Sequence, residues 1–343
     1  MRIGVLFGGV SWEHEISIVS AITLKKVLGA KIENFIFVDR NHYFYEIPSH
    51  LMQASFFASE NYKKCKKLSI DNAGFFLSSL FGKKYLHSDC IINLIHGADG
   101  EDGVIASLLD FYHIPFIGPR VESSVLSFNK YYTKLFAQSR GVKMLPFEVL
   151  REKDTRKSNL DFPLIIKPSR LGSSIGVSVA NDAKEFDYAL DCAFEYDKEV
   201  IIEPFIKGVK EYNLAGYKAK DFVFSIIEEP QKQDLLDFEN KYLDFSRDAK
   251  TKNANITNTI LEKMQDSFKR IYENCFEGAL IRCDFFVIDE EVYLNEINPI
   301  PGSMANYLFE DFQKAIQELY ENLPKKKNIP IDYQYIKKIQ RAK

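Results

Sequence analysis

The sequence predicts an α/β chain, α+β overall, arranged as an N-terminal parallel-sheet domain, a small central αβ domain and a C-terminal antiparallel-sheet domain. Three patterns carry this. Apolar runs alternate with amphipathic stretches over residues 3–118, strand-like runs flank a Gly/Ser-rich loop at 168–176, and two further strand pairs follow residue 209. The first alternation is the mark of parallel strands joined by crossover helices. At 343 residues the chain also exceeds the ~250 at which one hydrophobic core stops growing, which asks for two or three domains.

The elements follow in order. Residues 3–7, 35–38, 90–95 and 114–118 read as short buried strands, with helices at 16–28 and 104–112. Gly118 and Pro119 close the last of these strands, so a boundary falls near residue 120 and the domains are 1–120, 121–208 and 209–343. Helical periodicity runs over 122–140. Residues 162–167 and 177–180 form a hairpin with a flexible tip, Asn181 then N-caps a helix through 196, and 199–205 is a strand. Strands at 211–217 and 222–228 precede a polar stretch, 231–255, which is over-long for a connector and reads as a lid. A helix over 257–276, a hairpin of strands 279–288 and 291–297 turning at Asp289 and Glu290, and a helix after the 299–302 turn complete the chain.

Hydrophobic residues make up 46% and charged residues 27%, which excludes disorder and a coiled coil. Forty-five Lys and Arg face 48 Asp and Glu, and the formal charge of -3 offers no field for gripping nucleic acid or an anionic membrane. The chain starts directly on a strand, without a signal-like segment, and no apolar run approaches the ~20 residues of a membrane span, so a soluble protein that is not exported is expected. Cys65, Cys90, Cys192, Cys275 and Cys283 include no C-x-x-C pair and read as reduced thiols, several of them buried.

The segment Ile281-Arg282-Cys283-Asp284, followed by Asn295-Glu296-Ile297-Asn298-Pro299, is the most informative. Strand alternation puts Arg282 and Asp284 on one face and Glu296 and Asn298 on one face of the partner strand. Two carboxylates and an amide oxygen there would suit Mg²⁺, and the Arg could neutralise charge on a transferring group. A half-exposed hairpin with a charged outer face would show the same alternation, so the choice turns on the rest of the chain. Lys167 ends a strand just before Pro168-Ser169-Arg170-Leu171-Gly172-Ser173-Ser174-Ile175-Gly176. Backbone N–H groups and hydroxyls on such a loop can wrap phosphate oxygens while the Lys supplies a point charge, although an ordinary hairpin turn has the same composition. G-x-x-x-x-G-K-[ST] is absent, which disfavours a Walker-type kinase, and Gly8-Gly9 lacks the G-x-G-x-x-G of a dinucleotide module.

In this order the Lys167–Gly176 loop, Ile202-Glu203-Pro204-Phe205-Ile206 and the Arg282/Asp284/Glu296/Asn298 hairpin resemble the ATP-grasp fold over the whole chain. Within it, three segments resemble the D-alanine–D-alanine ligase family: Phe7-Gly8-Gly9-Val10-Ser11-Trp12-Glu13-His14-Glu15-Ile16-Ser17, the run from Leu94-Ile95-His96-Gly97 to Gly103, and Asn298-Pro299-Ile300-Pro301-Gly302. The resemblance implies ATP-dependent formation of D-alanyl-D-alanine through an acyl phosphate, for peptidoglycan precursors, by a cytoplasmic homodimer. Both substrates would be D-alanine, and the cofactors ATP with two Mg²⁺ or Mn²⁺. Lys130 and Lys167 would contact phosphates under a loop through Ser173 and Ser174. Glu203, Phe205 and Ile206 would line the adenine pocket, and Glu211 would hold the ribose. Lys241 and Tyr242 would belong to the lid, with Lys241 at ATP and Tyr242 joining Ser173 and Glu13. Asp284, Glu296 and Asn298 would hold the metals. Glu13 would pair with the first substrate's ammonium and His96 would stand near its carboxylate, while Arg282 and the Gly302 N–H would steady the oxyanion. Two positions depart from the family pattern: Pro204 stands where a basic residue is frequent, and Tyr307 where a small hydroxyl residue is frequent. A ligase forming D-alanyl-D-lactate, or joining another acid and amine, is the alternative, and Tyr242 speaks against a hydroxyl nucleophile.

Overall fold

The computed structural model describes residues 1–230 and 253–341, so Lys241, Tyr242 and most of the expected lid lie outside the described residues. In chain order the elements are β1 (Ile3–Gly8), α1 (His14–Leu28), β2 (Ile32–Val38), β3 (Phe44–Ile47), α2 (Ala54–Ala58), β4 (Lys66–Asp71), β5 (Gly74–Ser79), β6 (Gly82–Tyr85), β7 (Cys90–Asn93), α3 (Val104–Phe111) and β8 (Phe116–Ile117). Next come α4 (Val121–Phe128), α5 (Lys130–Ser139), β9 (Glu148–Arg151), β10 (Leu164–Pro168), β11 (Ser178–Ala180), α6 (Ala183–Phe194) and β12 (Glu199–Pro204). The rest are β13 (Lys210–Lys218), β14 (Phe222–Glu228), α7 (Asn258–Tyr272), β15 (Ile281–Ile288), β16 (Glu291–Asn298), α8 (Phe312–Glu321) and α9 (Gln334–Arg341).

The first sheet has eight strands in the order β6-β5-β4-β3-β2-β1-β7-β8. Its β2-β1-β7-β8 half is parallel, as the alternating pattern predicts, and buries Val5, Phe7, Phe35, Phe37 and Ile92 almost completely. The other half corrects the expectation: β3 to β6 add antiparallel neighbours that the sequence reading omits. In β4 only Leu68 is buried and in β6 no residue is, and a strand with so few buried positions has little apolar alternation to read.

The second sheet, β11-β10-β12-β9, is antiparallel and packs α6 through Phe186, Ala189, Leu190 and Ala193. Asp182 caps α6 by accepting from the amides of Lys184 and Glu185, so the cap lies one residue beyond the expected Asn181. Asn181 instead gives its amide N–H to the Glu185 carboxylate. A second correction falls just upstream, where the expected helix at 122–140 is two. Asn129 leaves the helical region at φ -91°, ψ 115°, and its side chain accepts from the amides of Tyr131 and Tyr132, starting α5 afresh.

The third sheet runs β14-β13-β15-β16, all antiparallel. Tyr212, Leu214, Cys283 and Phe285 share a core with Met264, Phe268 and Ile271 of α7, which leaves the opposite strand positions for polar groups. The chain from Ile300 onward then returns to the first sheet: Met304, Leu308, Ile316 and Leu319 join the core of Val5, Phe7 and Leu24. The segment after the 299–302 turn starts as a 3₁₀ stretch, Gly302–Leu308, in which Ser303, Met304 and Ala305 are left-handed. None of the five cysteines is disulfide-bonded, and Cys90 and Cys283 are buried.

Candidate active site

The polar face of the third sheet is built by register. Arg282 on β15 lies opposite Asn298 on β16, and Asp284 opposite Glu296. Arg282 donates twice to Asp284, Nε to Oδ1 at 2.7 Å and Nη2 to Oδ2 at 2.8 Å, and Asn298 Nδ2 donates to Oδ2 at 3.0 Å. Burial works against the Arg282 charge, but Asp284 outweighs it and holds the guanidinium pKa well above its ordinary value. The four polar groups read from the sequence therefore stand together. Among the described residues no three His, Cys, Asp or Glu side chains form a metal cluster. The set is instead two carboxylates and an amide, hard oxygen donors of the kind Mg²⁺ takes alongside substrate phosphates, and in that chemistry it fits the expected ion.

Beside this face lie the lysines. Lys130 opens α5, its backbone N–H donating to Ser169 and its ammonium to the Leu171 carbonyl at 2.5 Å, so it is tied to the 168–176 loop at both ends. Lys167 on β10 donates to Glu203 Oε2 at 2.8 Å and to Asn295 Oδ1 at 3.4 Å. Glu203 is also bound from the other side by Lys134 at 2.5 Å, and despite its burial the two lysines pull its carboxyl down to about 2. Glu211 on β13 is close enough to help hold the Lys167 charge. Phe205 is half-buried and gives its amide to the Pro163 carbonyl, and Ile206 lines a cavity of about 530 Å³ with Tyr212, Ile260 and Val287.

The loop also reaches the first sheet. Glu13, 7% exposed, precedes α1, and its Oε1 accepts from Ser173 Oγ at 2.5 Å, while its Oε2 is buried with no hydrogen-bond partner among the described residues. Two glycines make room for it. A Cβ on Gly172 would come within 2.9 Å of Oε1, and one on Gly97 within 3.0 Å of Oε2. Burial and then Glu101 raise the Glu13 pKa, against Ser173 and His96. Ser173 and Ser174 both adopt left-handed backbone, and Ser174 is exposed.

His96 is 3% exposed, and burial pushes its pKa down to about 4, so its ring is neutral at pH 7. Nε2 contacts Ser20 Oγ at 2.9 Å, and the same hydroxyl accepts the Ser303 amide at 3.0 Å, joining α1 to the turn that begins at Gly302. Nδ1 lies 3.6 Å from Glu101, whose carboxyl burial raises to about 8. Tyr307 donates to Glu228 Oε2 at 3.1 Å, and burial raises its phenol to about 12.

Sequence reasoning missed Ser20, Glu101 and Lys134. Signals were present: Ser20 and Lys134 are polar residues on the buried faces of amphipathic helices, and Glu101 lies inside the His96–Gly103 motif.

Comparison with known proteins settles the family. The profile of the D-ala D-ala ligase N-terminus matches residues 2–119, and that of the D-ala D-ala ligase C-terminus matches residues 136–323. The chain belongs to the D-ala D-ala ligase family. A D-alanine--D-alanine ligase of Helicobacter hepaticus is 59% identical over 100% of this chain and 99% of its own length, and one of Wolinella succinogenes is 57% identical with the same coverage. The crystal structure of D-alanine-D-alanine ligase from Helicobacter pylori superposes with a TM-score of 0.85 at 52% identity, covering 95% of this chain and 100% of that one. The three sheets are thus those of an ATP-grasp ligase. No described helix is long and apolar enough to cross a membrane.

Proposed function

We propose that this chain joins two D-alanine molecules into D-alanyl-D-alanine through an acyl phosphate, converting ATP to ADP and phosphate, a step in supplying peptidoglycan precursors. The observation that carries the reading is Glu13: one oxygen is fixed by Ser173 and the other is buried without a partner, which is a place prepared for a substrate ammonium. The first D-alanine, held there with its carboxylate near neutral His96, presents that carboxylate to the γ-phosphorus. The new O–P bond forms as the bridging O–P bond to ADP breaks. The free amine of the second D-alanine then attacks the acyl carbon, loses a proton and expels phosphate. Arg282 and the Gly302 N–H stabilise the oxyanion between these events.

Lys130 and Lys167 hold the phosphates under the loop through Ser173 and Ser174. Glu203, Phe205 and Ile206 border the base and Glu211 the ribose; Lys241 and Tyr242, which lie outside the described residues, would belong to the lid. Asp284, Glu296 and Asn298 would hold two Mg²⁺ or Mn²⁺ ions, which when bound offset charge on the phosphoryl oxygens. Units 1–120, 121–208 and 209–343, a homodimeric state and a cytoplasmic location complete the reading.

The test is to incubate the protein with Mg-ATP and D-alanine, D-lactate or both, following phosphate and product mass. Phosphate release that requires D-alanine and yields the dipeptide is expected. D-alanyl-D-lactate as the main product at neutral pH would shift the assignment to the depsipeptide branch.

A further inference from the structure

Lys134 sits one helical turn beyond Lys130 on α5, and its side chain is only 2% exposed. It belongs to no part of the reaction described above. Its ammonium binds Glu203 Oε1 at 2.5 Å and the Asn295 carbonyl at 3.3 Å. Lys167 binds the other carboxylate oxygen at 2.8 Å and the Asn295 side-chain oxygen at 3.4 Å. Glu203 is 3% exposed and Lys167 12%. Two ammonium groups therefore share one carboxylate in a buried site, with Glu296 acting on both lysines and Glu211 on Lys167 from further away.

A buried ammonium is costly, and a position that needed only packing would be better filled by an apolar side chain of the same length. The cluster also has a direction. Of the three groups Lys167 has the most access, so it is the end of the cluster that a ligand can reach. Without Lys134, Lys167 would be the one ammonium left on Glu203, and a phosphate arriving at Lys167 would have to draw it away from a buried carboxylate.

We propose that Lys134 is a positioning residue for nucleotide binding: by occupying Glu203 it leaves Lys167 free to turn from Glu203 to an ATP phosphate. This rests on the reading that Lys167 contacts the phosphates. Burial tends to lower the Lys134 pKa and Glu203 opposes it, whereas the Lys167 charge is held up by the same carboxylate, consistent with Glu203 serving both.

The experiment measures Mg-ADP affinity by calorimetry, KM for ATP and for D-alanine, and Tm, on Lys134→Met, Lys134→Gln and Lys167→Met. Lys134→Met is expected to weaken Mg-ADP and raise KM for ATP on the order of tenfold, the scale of one charge-assisted hydrogen bond, with KM for D-alanine unchanged. Lys134→Gln keeps a hydrogen-bond donor and most of the packing while removing the charge, so it must show the same loss if Lys134→Met does not fold. Equal changes in both KM values would overturn the proposal and leave Lys134 a structural residue. If Lys167→Met binds Mg-ADP as well as the parent, the underlying phosphate assignment fails. If Lys167→Met is weak while the Lys134 variants are normal, only the role of Lys134 fails.

Discussion

His96 and Glu101 stand 3.6 Å apart with their titrations displaced in opposite directions by the same cause, burial. The histidine is neutral above about 4 and the carboxyl neutral below about 8, so both are uncharged through the interval between. The consequences for stability have opposite signs. A carboxyl whose folded pKa is raised from 4.5 to about 8 keeps a proton that the unfolded chain releases, so its contribution to stability falls as pH rises through that window. A histidine lowered from 6.5 to about 4 loses stability as pH falls through its own window. Glu101→Gln removes the first effect and with it the upward push of Glu101 on the Glu13 pKa, which has the same sign. Between pH 5 and pH 8 its Tm is expected to decline less than that of the parent by at least about 2 °C, read by scanning calorimetry, and parallel profiles would refute the buried-acid assignment. Arg282 is the other decisive side chain. Its bidentate grip on Asp284 fixes the guanidinium before substrate arrives, and preorganised donors to an oxyanion contribute on the order of 10²-fold to kcat. Arg282→Ala is expected to lose that factor in single-turnover measurements, and a kcat within a few-fold of the parent would remove Arg282 from the oxyanion role.

At the scale of elements, the break between α4 and α5 is where local chemistry makes the site. Asn129 caps α5 through its side-chain oxygen and gives Nδ2 to Glu199 Oε1 at 3.1 Å, so a single residue starts the helix and docks it on β12. Lys130 follows at once, and Lys134 is on the same face one turn later. Asn129→Ala should cost about 1 kcal/mol in denaturant unfolding and raise KM for ATP more than KM for D-alanine, because the helix that carries Lys130, the proposed phosphate contact, and Lys134 loses its cap and its tie to β12. An equal effect on both KM values would count against this coupling. The break also shows what could be read in advance and what could not. Continuous periodicity over 122–140 concealed it, since Asn129 is compatible with either a helix interior or a cap, and only its contact with Glu199, 70 residues away, decides. By contrast the β15–β16 hairpin was legible because strand alternation alone puts Arg282 and Asp284 on one face and Glu296 and Asn298 on one face across from it. Ser303, Met304 and Ala305 lie between: the turn was visible in Pro299 to Gly302, but left-handed backbone in three non-glycine residues has no local sequence signal and is imposed by docking onto α1.

On the scale of the whole molecule, the chain ends of the reaction site are joined across long sequence distances. The core of the first sheet includes Ile300, Met304, Leu308 and Ile316, so the Gly302 turn is fixed to α1 by packing as well as by Ser20. The loop after β10 reaches the same unit through Ser173 and Glu13, which are 160 residues apart, and Trp12 meets Tyr196 edge-on with ring centroids at 5.4 Å. Of these links the hydroxyl of Ser173 can be removed by a single atom's change without disturbing a core. Its loss leaves Glu13 Oε1 without this donor and the loop without its strongest polar tie to the first sheet. An acyl phosphate is open to attack by water as well as by an amine unless water is kept out, so a looser loop should show first as lost coupling. Ser173→Ala is therefore expected to release more than one phosphate per dipeptide, with the excess greatest at low D-alanine, where the intermediate waits longest for its nucleophile. Parallel assays of phosphate and dipeptide give the ratio directly. A ratio of one at every D-alanine concentration, with KM for the first D-alanine unchanged, would mean that the Ser173–Glu13 contact neither seals the site nor orients the first substrate, and that closure depends on other contacts of the loop.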